Sequence, residues 1–407
     1  MNRGSAQRTD QMIRALLDAG MQVDILLLNR SEQNTTSKDL SKRLKDAYPT
    51  AGVVVRRHPM FLRRTKNPMS RLKHWLFVLQ CRLDELALRH IGVFNQFECP
   101  SNFRSAIRHG LSTNKYDVYF SNYLKVTPKF VRHFKGLKVV DLHDIQTHRV
   151  RNEVLPSMPK WWRGIYHWLY QARERAVMRI FDRLVAISPV EQRIIKEQFC
   201  PERQVDFLPM TLTTQKQAKC AIQRYDLLLV GSNSEANINA AEWFLQNVFP
   251  HVVQARQDVR FVIQGAMTRN ARVDRHPTVT RYKNDNIFLQ GFRADLADVY
   301  AEAKLVVCPV QKGTGMKVKV IEALAFRKAI VGTSVAFEGI EATDRVHARV
   351  VDDAASFTTA ILELLDNPSC SDRLGAAALD LFKEKYHFRR LTQDIQTMIL
   401  SNAPTST

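Results

Sequence analysis

The sequence predicts an α/β fold with parallel sheets. Short apolar runs alternate with amphipathic helical patterns, as expected when strands are buried between two layers of helices. The chain has 407 residues and 45% of them are hydrophobic, so two domains with a sizeable core each can form. A glycine-rich loop between a strand and a helix predicts a ligand site at a sheet edge.

In the first half, a helical pattern covers residues 9–19, Gly20 is placed to end it, and a buried strand follows at residues 23–28. Four further apolar runs predict strands at residues 53–57, 118–121, 139–141 and 183–188. In the second half, five such runs predict strands at residues 226–231, 259–265, 287–291, 305–309 and 330–333. Helical patterns separate these strands, which is why we expect the strands of each half to run parallel.

A polar stretch at residues 209–225 lacks a strong period and is predicted to link two domains. The domains that follow from it are residues 1–208 and residues 226–381, with a final helix at residues 382–400. Neither an internal repeat nor a low-complexity tract interrupts this arrangement.

Residues 307–333 are the most informative segment, because they are predicted to form a strand, a glycine-rich loop, a helix and a second strand. Gly313 and Gly315 permit a tight turn that a ligand can approach closely, and the helix would direct its first N–H groups at that ligand. Lys317 and Lys319 add positive charge where an anion would bind. The pattern is neither a Walker loop nor a dinucleotide-binding fingerprint.

Glu322 lies three residues after Lys319, so the two side chains share one face of the helix predicted at residues 316–326. A carboxylate repels phosphate, so the expected partner of Glu322 is a donor such as a ribose hydroxyl. Together these residues predict a nucleotide-diphosphate site. The alternative is an ordinary glycine-rich turn before an amphipathic helix with solvated lysines, which many α/β proteins contain.

A second polar group follows the strand predicted at residues 139–141. Asp141 ends that strand, and His143 and Asp144 come next, at the carboxyl edge where α/β proteins bind ligands. A histidine next to an aspartate also occurs as a purely structural hydrogen-bonded pair. Two carboxylates without further ligands do not make a metal site, so no metal is expected.

Positive charge is concentrated in the first half. The net charge is +20; residues 1–205 hold 36 Lys and Arg against 18 Asp and Glu, whereas residues 206–407 hold 24 against 22. Two basic segments rich in aromatic residues lie at residues 56–90 and 160–179. Such segments are typical of helices that bind an anionic membrane surface, and they also occur in nucleic-acid-binding proteins or as solvated helix faces. No helix-turn-helix, zinc or RNA-recognition signature is present, so nucleic acid is not the expected partner.

The six cysteines lack CxxC and Cys/His ligand spacings, which indicates reduced thiols in a cytosolic protein rather than disulfides or a zinc site. No run of about 18 uncharged apolar residues occurs, so no segment is expected to span a membrane. The polar N-terminus does not have the pattern of a signal peptide. A cytoplasmic location follows, with a peripheral position on the inner face of the plasma membrane if the basic segments bind lipid.

Five segments of the second half resemble the nucleotide-binding domain of glycosyltransferase family 4 and occur in the same order. They are LLLVGSNSEANINAAEWFLQNVFPHV, VRFVIQGA, NIFLQGF, ADLADVYAEAKLVVCPV and the glycine-rich loop, within about residues 227–339. Weaker matches in the first half are GSAQRTDQMIRALLDAGMQVDILLL, VVDLHDIQTHRVRN and FDRLVAIS. The resemblance implies a GT-B fold, in which two Rossmann-like domains face each other across a cleft and the helix at residues 382–400 returns to the N-terminal domain.

The same resemblance implies an enzyme that transfers a sugar, with retained configuration, from a nucleotide-diphosphate sugar to a glycan or lipid-linked acceptor in polysaccharide or glycoconjugate synthesis. It implies no metal and no further cofactor. By position, His143, Lys317 and Glu322 are the catalytic candidates. The residues expected to bind the donor are Gly4, Ser5, Gly231, Ser232, Gly291, Phe292, Gly313, Thr314, Gly315, Met316 and Lys319.

Two positions depart from the family pattern. Thr314 stands where many members have a glutamate, and the segment from Gly231 to Glu235 stands where many have an arginine and a lysine. The chain also begins inside the first glycine-rich loop, so the N-terminal sheet is expected to lack its first strand. Alternative interpretations are a GT-B sugar-nucleotide epimerase, or a non-catalytic basic homologue that binds nucleic acid or membrane.

Overall fold

The computed structural model describes residues 3–29, 36–57, 99–213, 223–293, 295–313 and 315–401. The chain forms two compact units, one of residues 1–208 with residues 392–407 and one of residues 209–391. Every pair of neighbouring strands in the described sheets is parallel, and helices alternate with the strands. The predicted α/β class with parallel sheets is therefore confirmed.

The first unit has two sheets within its described residues. Its strands are β1 (Asp24–Asn29), β2 (Gly52–Arg57), β3 (Val118–Asn122), β4 (Leu137–Asp141), β5 (Arg183–Ala186) and β6 (Gln204–Phe207). Strands β1 and β2 form one sheet, and β3, β4, β5 and β6 form the other in that order. The α-helices are α1 (Arg3–Asp18), α2 (Ser37–Ala47), α3 (Ser101–Thr113), α4 (Gln146–Arg149), α5 (Lys160–Met178) and α6 (Pro189–Ile194).

The main core of this unit lies against the four-stranded sheet. Strand β5 and the last three residues of β4 are buried, and Val140 and Leu184 are fully enclosed together with Phe181 and Phe199. Gly20 follows α1 with a φ of +82°, the left-handed conformation that the predicted helix end requires.

Helix α1 begins at Arg3, well before its predicted start. Gly4 and Ser5 therefore lie in its first turn, at the N-terminus of the helix. The first turn tolerates both residues because its N–H groups have no acceptor within the helix. Strand β6 is not among the predicted strands, since four residues with two polar side chains carry no clear period.

The second unit has one sheet of six described strands. They are β7 (Tyr225–Val230), β8 (Phe261–Gln264), β9 (Ile287–Gln290), β10 (Ala303–Cys308), β11 (Ala329–Gly332) and β12 (Arg349–Val350), and their order across the sheet is β12, β11, β10, β7, β8, β9. Its α-helices are α7 (Glu235–Asn247), α8 (Phe249–Ala255), α9 (Ala271–Asp274), α10 (Pro277–Tyr282), α11 (Ala297–Ala301), α12 (Val318–Ala325), α13 (Ala354–Asp366) and α14 (Pro368–Leu381). The last helix, α15 (Phe388–Leu400), belongs to the first unit from residue 392 on.

Side chains of this sheet alternate between two cores. Leu227 and Ile263 pack into one cluster, and Leu228 and Val262 pack into the other. Burial on both faces explains why these strands read as continuous apolar runs. None of the helices in the described ranges has both the length and the apolar composition needed to cross a membrane.

The final helix predicted at residues 382–400 is interrupted, which corrects that prediction. A π-helical turn at Phe382–Tyr386 extends α14, and α15 begins after an extended His387 with φ −76° and ψ 140°. Leu212 explains the break, because its N–H donates to the carbonyl before His387 and its carbonyl accepts from the N–H after it, both at 2.9 Å. Part of the predicted linker is thus paired with the segment between the π-helical turn and α15.

Candidate functional site

The strand order of the second unit reverses beside β7. The chain passes from β7 to β8 on one side, and β10 lies on the other, so the loops that follow β7 and β10 diverge. Open α/β sheets bind ligands in the crevice between such loops. Gly231 and Ser232 follow β7 directly, and residues 309–317 connect β10 to α12.

The loop after β10 has the backbone of a ligand-binding turn. Gly313 has a φ of +147° and Gly315 a φ of +75°, values that glycine adopts without strain. Lys317 is the N-cap residue of α12 but its side chain does not cap the helix, so the first N–H groups face the loop. The helix predicted from residue 316 thus begins two residues later, and Met316 lies in the loop. Thr314 lies outside the described residues.

Lys317 folds back over this loop. Its Nζ atom donates to the Gly315 carbonyl at 2.5 Å and lies 3.9 Å from the Glu338 carboxylate. A Cβ added to Gly313 would lie 3.7 Å from Lys317 Cε, so the cation is adjacent to the glycine turn. Burial lowers the pKa of Lys317. A desolvated cation of this kind gains more from an anionic ligand than a solvated one does.

Lys319, Glu322 and Asn237 are partly buried and form a polar cluster with the buried Tyr300. Lys319 Nζ donates to Asn237 Oδ1 at 2.6 Å, and the Tyr300 hydroxyl donates to Glu322 Oε2 at 3.1 Å. Burial lowers the pKa of Lys319. Burial also raises the pKa of Glu322 to about 6, although Tyr300 and Lys319 act in the opposite direction. Glu322 is therefore ionised at neutral pH and protonated in mild acid.

Asn237, in the first turn of α7, also reaches the loop after β7. Its Nδ2 atom donates to the Ser232 carbonyl at 3.2 Å and to Ser232 Oγ at 3.1 Å. Gly231 has no room for a side chain, since an added Cβ would lie 2.6 Å from Met267 Sδ. Neither Asn237 nor Tyr300 is among the residues predicted from the sequence. The sequence signal that could have identified Asn237 is its position at a helix start shortly after Gly231.

The predicted turn at Gly291 and Phe292 follows β9, two strands beyond β7 at the same sheet edge. The Gly291 carbonyl accepts a hydrogen bond from the side-chain amide of Gln264, which ends β8. Phe292 exposes about half of its side chain. The second-unit residues predicted to bind the donor, apart from Thr314, therefore lie along one edge of a single sheet.

In the first unit, His143 follows β4 and Tyr123 follows β3. Their φ angles are +58° and +87°, which is uncommon without glycine, and their rings stack with centroids 4.1 Å apart. His143 Nε2 lies 3.2 Å from Asp141 Oδ2 and also contacts Asn122 Oδ1. Two acceptor oxygens at Nε2 indicate that this nitrogen carries the proton. The carboxylate partner of His143 is therefore Asp141 and not the adjacent Asp144.

Asp141 is held by Arg8 as well. Arg8 donates to both carboxylate oxygens at 2.8 to 3.0 Å, and both side chains are buried. Burial by itself would raise the pKa of Asp141, but Arg8 and His143 outweigh it and lower that pKa to about 2. Arg8 belongs to α1, the helix whose first turn contains Gly4 and Ser5. The pairs Arg8–Asp141 and Asp141–His143 fix the orientation of the imidazole.

A further carboxyl group near these residues is Glu191 in α6. Burial and the charge of Asp144 raise the pKa of Glu191 to about 8. Glu191 is not among the predicted site residues, and its local pattern is that of a helix cap, because Ser188 Oγ accepts from the Glu191 N–H at 3.1 Å. Across the described ranges, no three His, Cys, Asp or Glu side chains come together as a metal site.

Models of two families match the chain. The model for glycosyl transferases group 1 matches residues 224–367. The model for the glycosyl transferase 4-like domain matches residues 3–211, and this match alone covers more than half of the chain. The chain belongs to the family of the glycosyl transferase 4-like domain. It has the GT-B fold, and its resemblance to family 4 is confirmed.

Solved structures of this fold match almost the whole chain at low sequence identity. Sucrose-phosphate synthase from Thermosynechococcus elongatus has a TM-score of 0.63 and 15% identity, covering 96% of this chain and 91% of that one. A glycosyltransferase from Rickettsia africae has a TM-score of 0.63 and 11% identity, covering 99% and 97%. HepE from Anabaena, in complex with UDP-glucose, has a TM-score of 0.58 and 13% identity, covering 93% and 100%. These likenesses concern the fold.

Among curated proteins, the chain is similar to an uncharacterized 44.6 kDa protein in the cps region of Klebsiella pneumoniae. The two sequences are 20% identical over 232 residues. That stretch covers 56% of this chain and 58% of the relative, so the match spans somewhat more than half of the relative's length.

Proposed function

We propose that this glycosyltransferase moves a sugar from a nucleotide-diphosphate sugar to a glycan or a lipid-linked acceptor, with retention of the anomeric configuration. The observation that carries the proposal is the polar cluster beside the β7–β10 reversal. A turn with two left-handed glycines meets two partly buried lysines and a partly buried carboxylate there. This combination matches a ligand that has both phosphates and sugar hydroxyls.

The diphosphate would bind at the loop from Gly313 to Lys317. Negative charge develops on the leaving diphosphate as the glycosidic bond breaks, and buried cations and N–H groups stabilise that charge most strongly. Lys317 and Lys319 are the cations, and the start of α12 provides the N–H groups. The lowered pKa values of both lysines mean that an anionic ligand relieves a desolvation cost that burial has already imposed on them.

The ribose would be held by Glu322. The Tyr300 hydroxyl occupies Oε2, which leaves Oε1 as the acceptor for a ribose hydroxyl. Gly231 and Ser232 would approach the phosphates from the β7 side, and the turn at Gly291 and Phe292 would flank the base. The observed sheet order supports this arrangement, because all three loops are at the same edge.

His143 would orient and polarise the transferred sugar. Its Nε2 atom is engaged by Asp141 and Asn122, so Nδ1 is the ring nitrogen that a ligand would meet. The proposal includes no protein nucleophile, no metal and no cofactor beyond the nucleotide sugar. Gly4 and Ser5 would contribute through the first turn of α1, the helix that also supplies Arg8.

The division of the chain after residue 208 supports assigning acceptor binding to residues 1–208 and donor binding to residues 226–381. We also propose that the enzyme acts in polysaccharide or glycoconjugate synthesis on the cytoplasmic side, peripherally at the inner face of the plasma membrane. The excess of 36 Lys and Arg over 18 Asp and Glu in residues 1–205 supports an anionic surface as the place where the acceptor is met.

A calorimetric screen of UDP, GDP, ADP and CDP tests the donor site. One nucleotide is expected to bind, and Lys317→Ala and Glu322→Ala are each expected to weaken it about tenfold. The matching nucleoside separates the two roles, because Lys317→Ala should leave its affinity unchanged whereas Glu322→Ala should lower it. Lys304→Ala, at the opposite end of β10, is the charge-matched control. Binding of none of the four nucleotides would contradict the proposal.

A further inference from the structure

Helix α5 presents an apolar stripe to solvent. Trp161, Ile165, Trp168 and Ala172 follow one another at spacings of four, three and four residues, which places them within about 60° of arc on one face. Trp161 is 76% exposed, Ile165 48% and Trp168 64%. The two tryptophans are the most exposed large hydrophobic side chains among the described residues, although tryptophan is usually largely buried.

The opposite face of α5 holds the helix in this orientation. Tyr166, Glu174 and Met178 are buried there. The Glu174 carboxylate accepts from the N–H groups of Gln146 and Thr147, each at 2.8 Å. Rotating the helix to hide the tryptophans would break these bonds and leave a buried carboxylate without donors, which is costly. The hydrogen bonds of Glu174 therefore keep the stripe facing the solvent.

The charge around the stripe is positive. Residues 160–179 contain five Lys and Arg and one acidic residue, Glu174, which is buried. Lys160 is exposed at the N-terminal end, next to Trp161. At the other end, Arg179 is exposed and pairs with Glu202 at 3.0 Å. The helix itself thus presents apolar and cationic groups to solvent, and no carboxylate.

We propose that this stripe, formed by Trp161, Ile165, Trp168 and Ala172, docks the enzyme on an anionic bilayer, with α5 lying in the plane of the interface. Tryptophan favours the boundary between headgroups and acyl chains, and the flanking cations are attracted to anionic headgroups. A bilayer also accepts a convex apolar ridge without a complementary groove. The choice of partner rests on the proposed function, in which the acceptor is met at a membrane.

The stripe is coupled to the candidate site of the same unit. Glu174 binds the start of α4, and Gln146 there is three residues after His143. A docked α5 would therefore place the loop with His143 at a fixed distance from the membrane surface. This is the loop that we propose to contact the transferred sugar.

Vesicle binding of the full-length enzyme tests this surface independently of catalysis. The enzyme is expected to bind vesicles of phosphatidylcholine mixed with phosphatidylglycerol, and phosphatidylcholine alone at least about tenfold more weakly. The double variant Trp161→Ala/Trp168→Ala is expected to partition into the mixed vesicles at least about tenfold less. Trp161→Phe/Trp168→Phe should retain most of the binding because it keeps two apolar rings. Added salt should weaken binding, since the exposed cations are screened.

Two controls make the outcome decisive. Val190→Ala removes an exposed apolar side chain elsewhere in the first unit and should leave vesicle binding unchanged. Nucleotide binding by the double alanine variant should equal that of the wild type, which separates failure of this surface from failure of the donor site. Equal vesicle binding by the wild type and the double alanine variant would overturn the proposal. A stripe-dependent dimer, or a stripe-dependent complex with DNA, without vesicle binding would also overturn it.

Discussion

Lys319 Nζ lies 2.6 Å from Asn237 Oδ1, and this bond connects the first turns of α12 and α7 at the edge of the second unit's sheet. Asn237 donates in turn to Ser232 Oγ at 3.1 Å. The carboxamide is thus placed between the loop after β7 and the helix after β10. We infer that Asn237 positions Lys319, which would otherwise be a partly buried cation without a fixed orientation.

Replacing Asn237 tests this positioning role. Asn237→Ala is expected to weaken binding of the nucleoside diphosphate about tenfold, or about 1.4 kcal/mol, because Lys319 loses its hydrogen bond and its alignment. Binding of the nucleoside should not change. Asn239→Ala, an exposed position two residues along the same helix, is the control. Calorimetry on the two ligands gives both values, and an equal loss for nucleoside and diphosphate would contradict the role.

The raised pKa of Glu322 predicts that nucleoside binding depends on pH. Its pKa is raised from 4.5 to about 6 by burial, so the carboxylate that would accept from the ribose is lost as pH falls through about 6. Nucleoside affinity measured by calorimetry is expected to fall between pH 7.5 and pH 5, a range chosen as about one unit or more on each side of that pKa. Glu322→Gln should show a weaker affinity without this slope.

Protein stability provides the control for Glu322, with the sign worked out. A raised pKa in the folded state means that ionisation opposes folding, so stability is greatest below the unfolded value of 4.5 and is lost as pH rises through about 6. Glu322→Gln should therefore stabilise the protein by up to about 2 kcal/mol at neutral pH and lose that advantage in acid. Thermal unfolding at both pH values checks this, and an advantage independent of pH would contradict it.

The buried pair of Arg8 and Asp141 predicts a large loss of stability on truncation. Arg8→Ala leaves a buried carboxylate with one hydrogen-bonding neighbour fewer, and we expect a loss of about 3 kcal/mol at neutral pH. Asp141 has its pKa lowered from 3.8 to about 2, so its contribution is present above 3.8 and is lost as pH falls through about 2. Thermal unfolding should show the deficit of Arg8→Ala shrinking in acid. A constant deficit would indicate lost packing alone.

His143 predicts a selective loss of turnover. The variant His143→Asn replaces the imidazole by a carboxamide and keeps a residue type that tolerates a φ of +58°, so the backbone is preserved. Transfer is expected to fall about a hundredfold while nucleotide binding is unchanged, because the lost group acts on the sugar and not on the nucleotide. His143→Ala should behave alike in turnover but be less stable. Unchanged turnover in both variants would remove His143 from the mechanism.

The sequence by itself determined the class of fold and the segments that carry the site in the second unit. Strands at residues 226–231 and 305–309, and the glycine turn that leads into α12, depend on short-range signals. Apolar runs, left-handed glycines and helix starts are properties of neighbouring residues, and they can be recognised without knowing the partners. The same holds for the excess of positive charge in the first half.

Only the tertiary structure decided which polar groups meet. Lys319 bonds to Asn237 from 82 residues away, and Arg8 bonds to Asp141 from 133 residues away. The outward face of α5 was also decided by packing, since aromatic residues occupy both of its faces and the bonds of Glu174 select the exposed one. Such pairings depend on how the strands are ordered across each sheet, and no local pattern in the sequence encodes that order.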